Sequence, residues 1–213
     1  MFGLFKKKSS SYWNRRYKSG GTSGEGSYGR LAGFKQRVVD QFCEEFQVRS
    51  IIEFGCGDGN QLSLFQYQCN YVGLDVSEHA VRMCTERFRN DATKKFRVFN
   101  GRKGFCAEHH LAADLCLSLD VVYHLVEDSV FRDYMNELFI SSKKFVILYS
   151  TNFQQAKGTA WHVRHREITT YIDECFPEFV LSKTILNDFP PGIDSGETSA
   201  ANFYIYSRRE NIS

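Results

Sequence analysis

The residues best equipped for chemistry fall in one short stretch, Ile51-Ile52-Glu53-Phe54-Gly55-Cys56-Gly57-Asp58-Gly59-Asn60. An apolar run enters three alternating glycines and leaves toward a helix pattern. Glycine lets the backbone turn sharply and lets a ligand approach it closely. A helix N-terminus behind such a turn offers N–H groups and the positive end of the helix dipole. Asp75 ends the next apolar run, twenty residues beyond Gly55. A carboxylate placed there can accept both ribose hydroxyls of an adenosine-containing ligand. The glycine spacing discriminates among such ligands. A dinucleotide fingerprint, GxGxxG, needs glycine at position 60, where this chain has Asn60. The third glycine, Gly59, comes one place early. Glu53, ahead of the turn, would repel a pyrophosphate but can accept hydrogen bonds from a cationic amino-acid group.

Two further groups could act on a second substrate. Asp120, Tyr123 and His124 follow another apolar run, and any of them is a candidate base for a hydroxyl that must lose its proton. Among them, His124 has the ordinary pKa nearest the working range. Trp161-His162-Val163-Arg164-His165-Arg166 sets four cationic or titratable groups beside a tryptophan. Such a cluster suits an anionic acceptor, a phosphate or a carboxylate. It equally suits a helix start with a solvated basic face, and both readings stand. Asp120 and His124 are metal-ligand types, yet no ligand spacing demands a metal, and none is expected.

The elements that must position these groups alternate. Ser50–Phe54 and residues 71–75, 96–99, 115–119 and 145–149 read as strands. Helical spacing connects Leu31, Phe34, Val38, Phe42 and Phe46 before the first strand. It returns at 61–65, at Val81, Cys84 and Phe88, and from Val130 to Phe139. Alternating strands and helices, with nearly continuous apolar strands, predict a parallel sheet covered on both faces. Phe179–Ile185 and 202–206 add two strands. Their connection holds Pro190-Pro191-Gly192 and no helix period, so the last pair should be antiparallel. The expectation is one doubly wound α/β domain over 31–213. Its seven-stranded sheet is mostly parallel, with an antiparallel last strand and helices on both faces. Residues 1–30 form a basic, glycine-rich segment before it. Tyr12, Trp13, Tyr17, Ser27, Tyr28 and Arg30, among glycines able to hinge, make that segment a candidate lid, with Tyr28 and Arg30 touching substrate. A disordered tail is the competing reading.

The glycine turn with its spaced acid resembles the first two motifs of the class I S-adenosylmethionine-dependent methyltransferase family, in a small bacterial-type member. The second motif is Val72-Gly73-Leu74-Asp75, and the run from Asp114 through Asp120 to Leu125 is similar to the fourth-strand motif. The resemblance covers about residues 50–150. It implies S-adenosyl-L-methionine as cofactor. It places Glu53, Gly55, Gly57 and Gly59 along the methionine moiety, Asp75 at the ribose and Val76 beside the adenine. Asn100 would lie near the adenine amine, and Asp120 and Val121 would border the transferred methyl.

Base-amine methylases of this kind carry a Pro-Pro pair after the fourth strand, and cytosine-C5 enzymes carry a Pro-Cys nucleophile. Here the first position reads Asp120-Val121-Val122-Tyr123, and none of the three prolines precedes a cysteine. The net charge of +2 makes no strong electrostatic case for nucleic acid, and such a partner is not favoured. The favoured reading is a methyltransferase acting on a small molecule, by O-methylation. The acceptor would be anionic: sugar-related, a glycan or phosphate-bearing. The alternatives are a non-catalytic S-adenosylmethionine-binding sensor or partner subunit, and an RNA methyltransferase. The 213 residues suffice for one core, and seven cysteines without a CxxC read as reduced thiols. No stretch approaches the roughly 18 apolar residues of a membrane span, so a cytoplasmic protein is expected. Oligomeric state is left open by the sequence.

Overall fold

In the computed structural model, which describes residues 8–154 and 161–211, seven strands form one sheet. They are β1 (Ser50–Phe54), β2 (Asn70–Asp75), β3 (Lys94–Val98), β4 (Ala113–Leu119), β5 (Ser142–Ser150), β6 (Phe179–Ile185) and β7 (Asn202–Arg208). The described helices are α1 (Lys8–Lys18), α2 (Gly29–Glu45), α3 (Glu78–Arg87), α4 (Phe105–Glu108), α5 (Asp128–Ile140) and α6 (Ile168–Cys175). Strand order is β3-β2-β1-β4-β5-β7-β6. Neighbours from β3 to β5 pair in parallel, whereas β7 runs antiparallel to both β5 and β6. The doubly wound sheet and its antiparallel last strand are therefore as the residue pattern implies.

Side-chain alternation explains the two apolar layers. Ile51, Leu115, Ile147 and Phe203 face a layer built with Phe34, Val39 and Phe42 of α2. Ile52, Cys116, Val146 and Tyr204 face the opposite layer, with Phe131, Leu138 and Phe139 of α5 and Ile172 of α6. A one-residue slip would exchange the two sets, so the apolar strands fix the register. All seven cysteines are free thiols, five of them buried. No described helix is long and apolar enough to cross a membrane.

The structure departs from the helix expected at 61–65, where only one 3₁₀ turn forms, at Leu62–Leu64. Phe65 already has extended backbone, and Asp40 of α2 accepts the N–H groups of Gln66 and Tyr67 at 3.0 and 3.3 Å. Those bonds draw the chain onto α2 before a second turn can form. α1, α4 and α6 occupy segments without a clear apolar period. Met1 to Lys7, with Lys6 and Lys7 of the basic run, lie outside the described residues.

The order reverses direction between β1 and β4. In an open α/β sheet that switch point opens a crevice at the carboxyl ends of the strands. α1 and the glycine-rich stretch after it cross this crevice.

Candidate active site

The crevice is a cavity enclosing about 1000 Å³ of space, open solvent included. Its floor is the turn after β1. Gly55 and Gly57 have φ of +88° and +57°, a region that strains any residue with a Cβ. A Cβ on Gly55 would lie 2.4 Å from Val121, and one on Gly57 would lie 2.2 Å from the Ser23 hydroxyl. Both positions thus let other segments close on the turn. Gly59 faces away, against Cys84 and Phe88, and does not line the cavity.

The turn does not offer its amides as donors in the way the sequence implied. Gly55 and Cys56 N–H both donate to Leu74 O, at 2.6 and 3.0 Å, and Gly57 N–H donates to Asp75 Oδ2 at 3.0 Å. Asp58 N–H meets Ser23 Oγ at 2.9 Å, Gly59 N–H meets Cys56 O at 3.2 Å, and Asn60 N–H meets Asp58 Oδ1 at 3.0 Å. Because only a short 3₁₀ turn follows, no long helix dipole stands behind them either.

Asp75 ends β2 inside the cavity and is buried. Its second oxygen accepts Ser77 N–H at 2.8 Å. Burial pushes its pKa up to about 6, against the lowering effect of those amide bonds. Glu53 is buried too and accepts the Tyr71 hydroxyl. Its pKa is pushed up to about 7 by burial, partly offset by Tyr71 and Lys35. Val76 and Val121 line the cavity, and Asn100 sits exposed at its edge, its side chain accepting Arg102 N–H at 3.0 Å.

Asp120 has φ +61° and is clamped from two sides. Lys35 Nζ lies 2.5 Å from Oδ2, and the Tyr123 hydroxyl donates to Oδ1 at 2.7 Å. Tyr123 is held well above its ordinary pKa, by burial and by Asp120. Both Asp120 oxygens are thus engaged, and Tyr123 keeps its proton. Lys35 was not foreseen. On α2 it follows Phe34 in a helical pattern and reads as a surface charge, but it is 1% exposed and lines the cavity.

His124 also lines the cavity. Its Nδ1 lies 3.2 Å from His162 O, which can only accept, so Nδ1 carries the proton and Nε2 keeps its lone pair. Burial pushes its pKa down to about 4, so the ring is neutral near pH 7. Trp13 of α1 packs edge-on against it at 5.0 Å.

The substrate residues expected from sequence lie elsewhere. None of Tyr28, Arg30, Trp161, His162, Arg164 and His165 lines this cavity. Tyr28 donates to Asp58 at 2.9 Å. Arg30 is paired bidentately with Asp194 and lies over Phe189. Arg164 pairs with Asp128 and bonds Val126 O, and Arg166 bonds Leu125 O at 2.7 Å. His165 contacts the Thr151 hydroxyl, His162 stacks on Tyr12, and Trp161 is exposed. Arg164 and Arg166 fasten their segment to residues 125–128, and the cluster does not border this cavity. Among the described residues, no group of His, Cys, Asp and Glu could hold a metal.

α1 covers the cavity. Ser9 donates to Glu127 through its N–H and hydroxyl, Trp13 and Tyr17 form part of the wall, and Tyr17 bonds Ser23 at 3.0 Å. Ser23 N–H in turn donates to Asp58 at 2.9 Å.

Residues 28–186 match a family model described as a methyltransferase domain. No curated protein matches the chain in sequence. Among solved structures, the chain is similar to the N-methyltransferase NodS from Bradyrhizobium japonicum, solved with S-adenosyl-L-homocysteine. The TM-score is 0.67 at 12% identity, over 94% of this chain and 98% of that one. It is also similar to magnesium protoporphyrin IX methyltransferase from Synechocystis PCC 6803, with a TM-score of 0.62 at 16% identity over 95% of each chain. A third is the small RNA methyltransferase HEN1, with a TM-score of 0.60 at 15% identity, over 87% of this chain and 26% of that one.

Proposed function

Because the chain belongs to the methyltransferase-domain family, we propose that its cavity joins S-adenosylmethionine to a small hydroxyl-bearing acceptor beneath α1. The residues present fit the cofactor. Gly55 and Gly57 line the cavity, Asp75 stands where a ribose can be held, and buried Glu53 favours a cationic neighbour.

When bound, S-adenosylmethionine supplies a methyl group on a sulfonium, activated for in-line displacement. Catalysis is then mostly positioning. Asp75 would orient the adenosine end. Lys35 and Tyr123 hold Asp120 in one geometry beside the reaction zone. Trp13, Tyr17 and the covering α1 exclude water, as a lid does. His124 takes the acceptor's proton at Nε2. A hydroxyl that has gained a methyl is a strong acid, so even a base held at about 4 is sufficient.

The neutral His124 facing the cavity, its other nitrogen fixed on His162 O, carries the preference for a hydroxyl. The preference for an anionic or sugar-phosphate acceptor loses its basis, since Arg164 and Arg166 are already paired. Release of S-adenosylhomocysteine with matched hydroxyl and amine acceptors tests this reading. Product with hydroxyl compounds, and its loss by at least tenfold in His124→Gln at unchanged cofactor affinity, is expected. Cofactor binding without turnover of any acceptor would favour a sensor.

A further inference from the structure

The amides of the glycine turn are already bonded inside the protein, so an amino-acid end lying there must find its charged partners elsewhere. Two side chains stand ready. Lys35 is the sole Lys or Arg among the described residues lining the cavity, and its side chain is 1% exposed. Asp120 uses one of its three donors, leaving donors for a second anion. Gln61 lines the same cavity and is 5% exposed. Its Nε2 donates to Ala32 O at 3.0 Å, which fixes the amide's orientation. Its Oε1 is buried with no hydrogen-bond partner, a state that costs stability until a donor arrives.

The two groups are neighbours. Ala32 and Lys35 are three residues apart on α2, hence on one face, and Gln61 is bonded to the first of them. A buried cation beside an orphaned acceptor matches a ligand end that carries both an anion and an N–H donor.

Resting on the cofactor reading above, we propose that Lys35 receives the cofactor's carboxylate and Gln61 Oε1 its ammonium, so that side chains replace the turn's amides in recognising the amino-acid end. The obvious rival is that Lys35 faces the methyl acceptor.

Calorimetry on the full chain separates these with three ligands: S-adenosylhomocysteine, its decarboxylated analogue, and 5′-methylthioadenosine, which lacks the whole amino-acid end. In the wild type, loss of the carboxylate should weaken binding about 10- to 100-fold, the range of a charge-assisted bond. Lys35→Met should erase that difference while leaving 5′-methylthioadenosine affinity within about threefold. Retained binding of this last ligand reports an intact pocket. Lys35→Gln, which keeps a donor toward Asp120, is the second variant and should also lose the carboxylate preference. Gln61→Leu should cut the advantage of the decarboxylated analogue over 5′-methylthioadenosine. Equal wild-type affinity with and without the carboxylate overturns the assignment and needs no variant. A carboxylate preference that survives both Lys35 variants overturns it as well. If the wild type binds none of the three ligands, the cofactor reading itself falls.

Discussion

Cofactor affinity should rise steeply with pH between 6 and 8, because two buried carboxyl groups must give up protons to receive a cationic ligand. Burial pushes Glu53 up to about 7 and Asp75 up to about 6. In the ligand-free protein at pH 6, Glu53 is then about nine-tenths protonated and Asp75 about half. If the bound state needs both ionised, binding at pH 6 is about 10-fold weaker through Glu53 and about 2-fold through Asp75. The combined loss is about 20-fold relative to pH 8. About 1.4 protons should leave on binding at pH 6, and close to none at pH 8. Titration of S-adenosylmethionine, whose sulfonium makes it cationic, calorimetrically in two buffers of different ionisation enthalpy reads both quantities. Glu53→Gln keeps an acceptor for the Tyr71 hydroxyl and should flatten the profile to the twofold Asp75 step. Affinity independent of pH from 6 to 8, with no buffer-dependent heat, would refute the reasoning.

The same groups set stability without ligand. Glu53 is raised from 4.5 to about 7, so its contribution is present below pH 4.5 and lost as pH rises through about 7. Glu53→Gln should therefore stabilise the ligand-free protein at pH 8, by a free energy on the order of 3 kcal/mol read as a higher melting temperature, and a lower melting temperature would count against a buried charge. Glu137 on α5 accepts Gly104 and Cys106 N–H at 2.6 and 2.8 Å, and Glu137→Ala should cost about 2–3 kcal/mol in urea unfolding by orphaning both. Asp58→Ala removes the acceptor for Ser23 N–H and the Tyr28 hydroxyl. It should speed proteolysis within residues 19–28, and unchanged cleavage would show that Asp58 does not fasten that segment. Trp13→Ala should shorten the residence time of bound S-adenosylhomocysteine in stopped-flow chase, and an unchanged rate would remove α1 as a lid.

What the sequence exposed was local. β1, β2, β4, β5 and β7 are legible as apolar runs, whereas β3, with Lys94, Lys95 and Arg97, is an edge strand whose start at Lys94 precedes the expected 96–99, and the helix-free, proline-bearing return predicts the antiparallel β7. Gly55, Gly57 and Asp75 are legible because their chemistry depends on spacing along the chain. What escaped depends on partners far apart. Lys35 meets Asp120 across 85 positions, and nothing near Lys35 announces that burial. Arg164 and Arg166 look like free cations until Asp128 and the carbonyls of Leu125 and Val126 are brought beside them. α1 has the polar composition of a tail. Its aromatic residues left a lid and a tail both open in the sequence, and the contacts of Trp13 with His124 and of Tyr17 with Ser23 are what the structure adds. The helix expected at 61–65 failed because Asp40, on another helix, captures the next two amides.

The most direct test is a crystal structure of the chain grown with S-adenosylhomocysteine. The account places both ribose hydroxyls within hydrogen-bond distance of Asp75 and the sulfur beneath α1. A ligand bound outside the cleft between β1 and β4, or a ribose held by other residues, would contradict it.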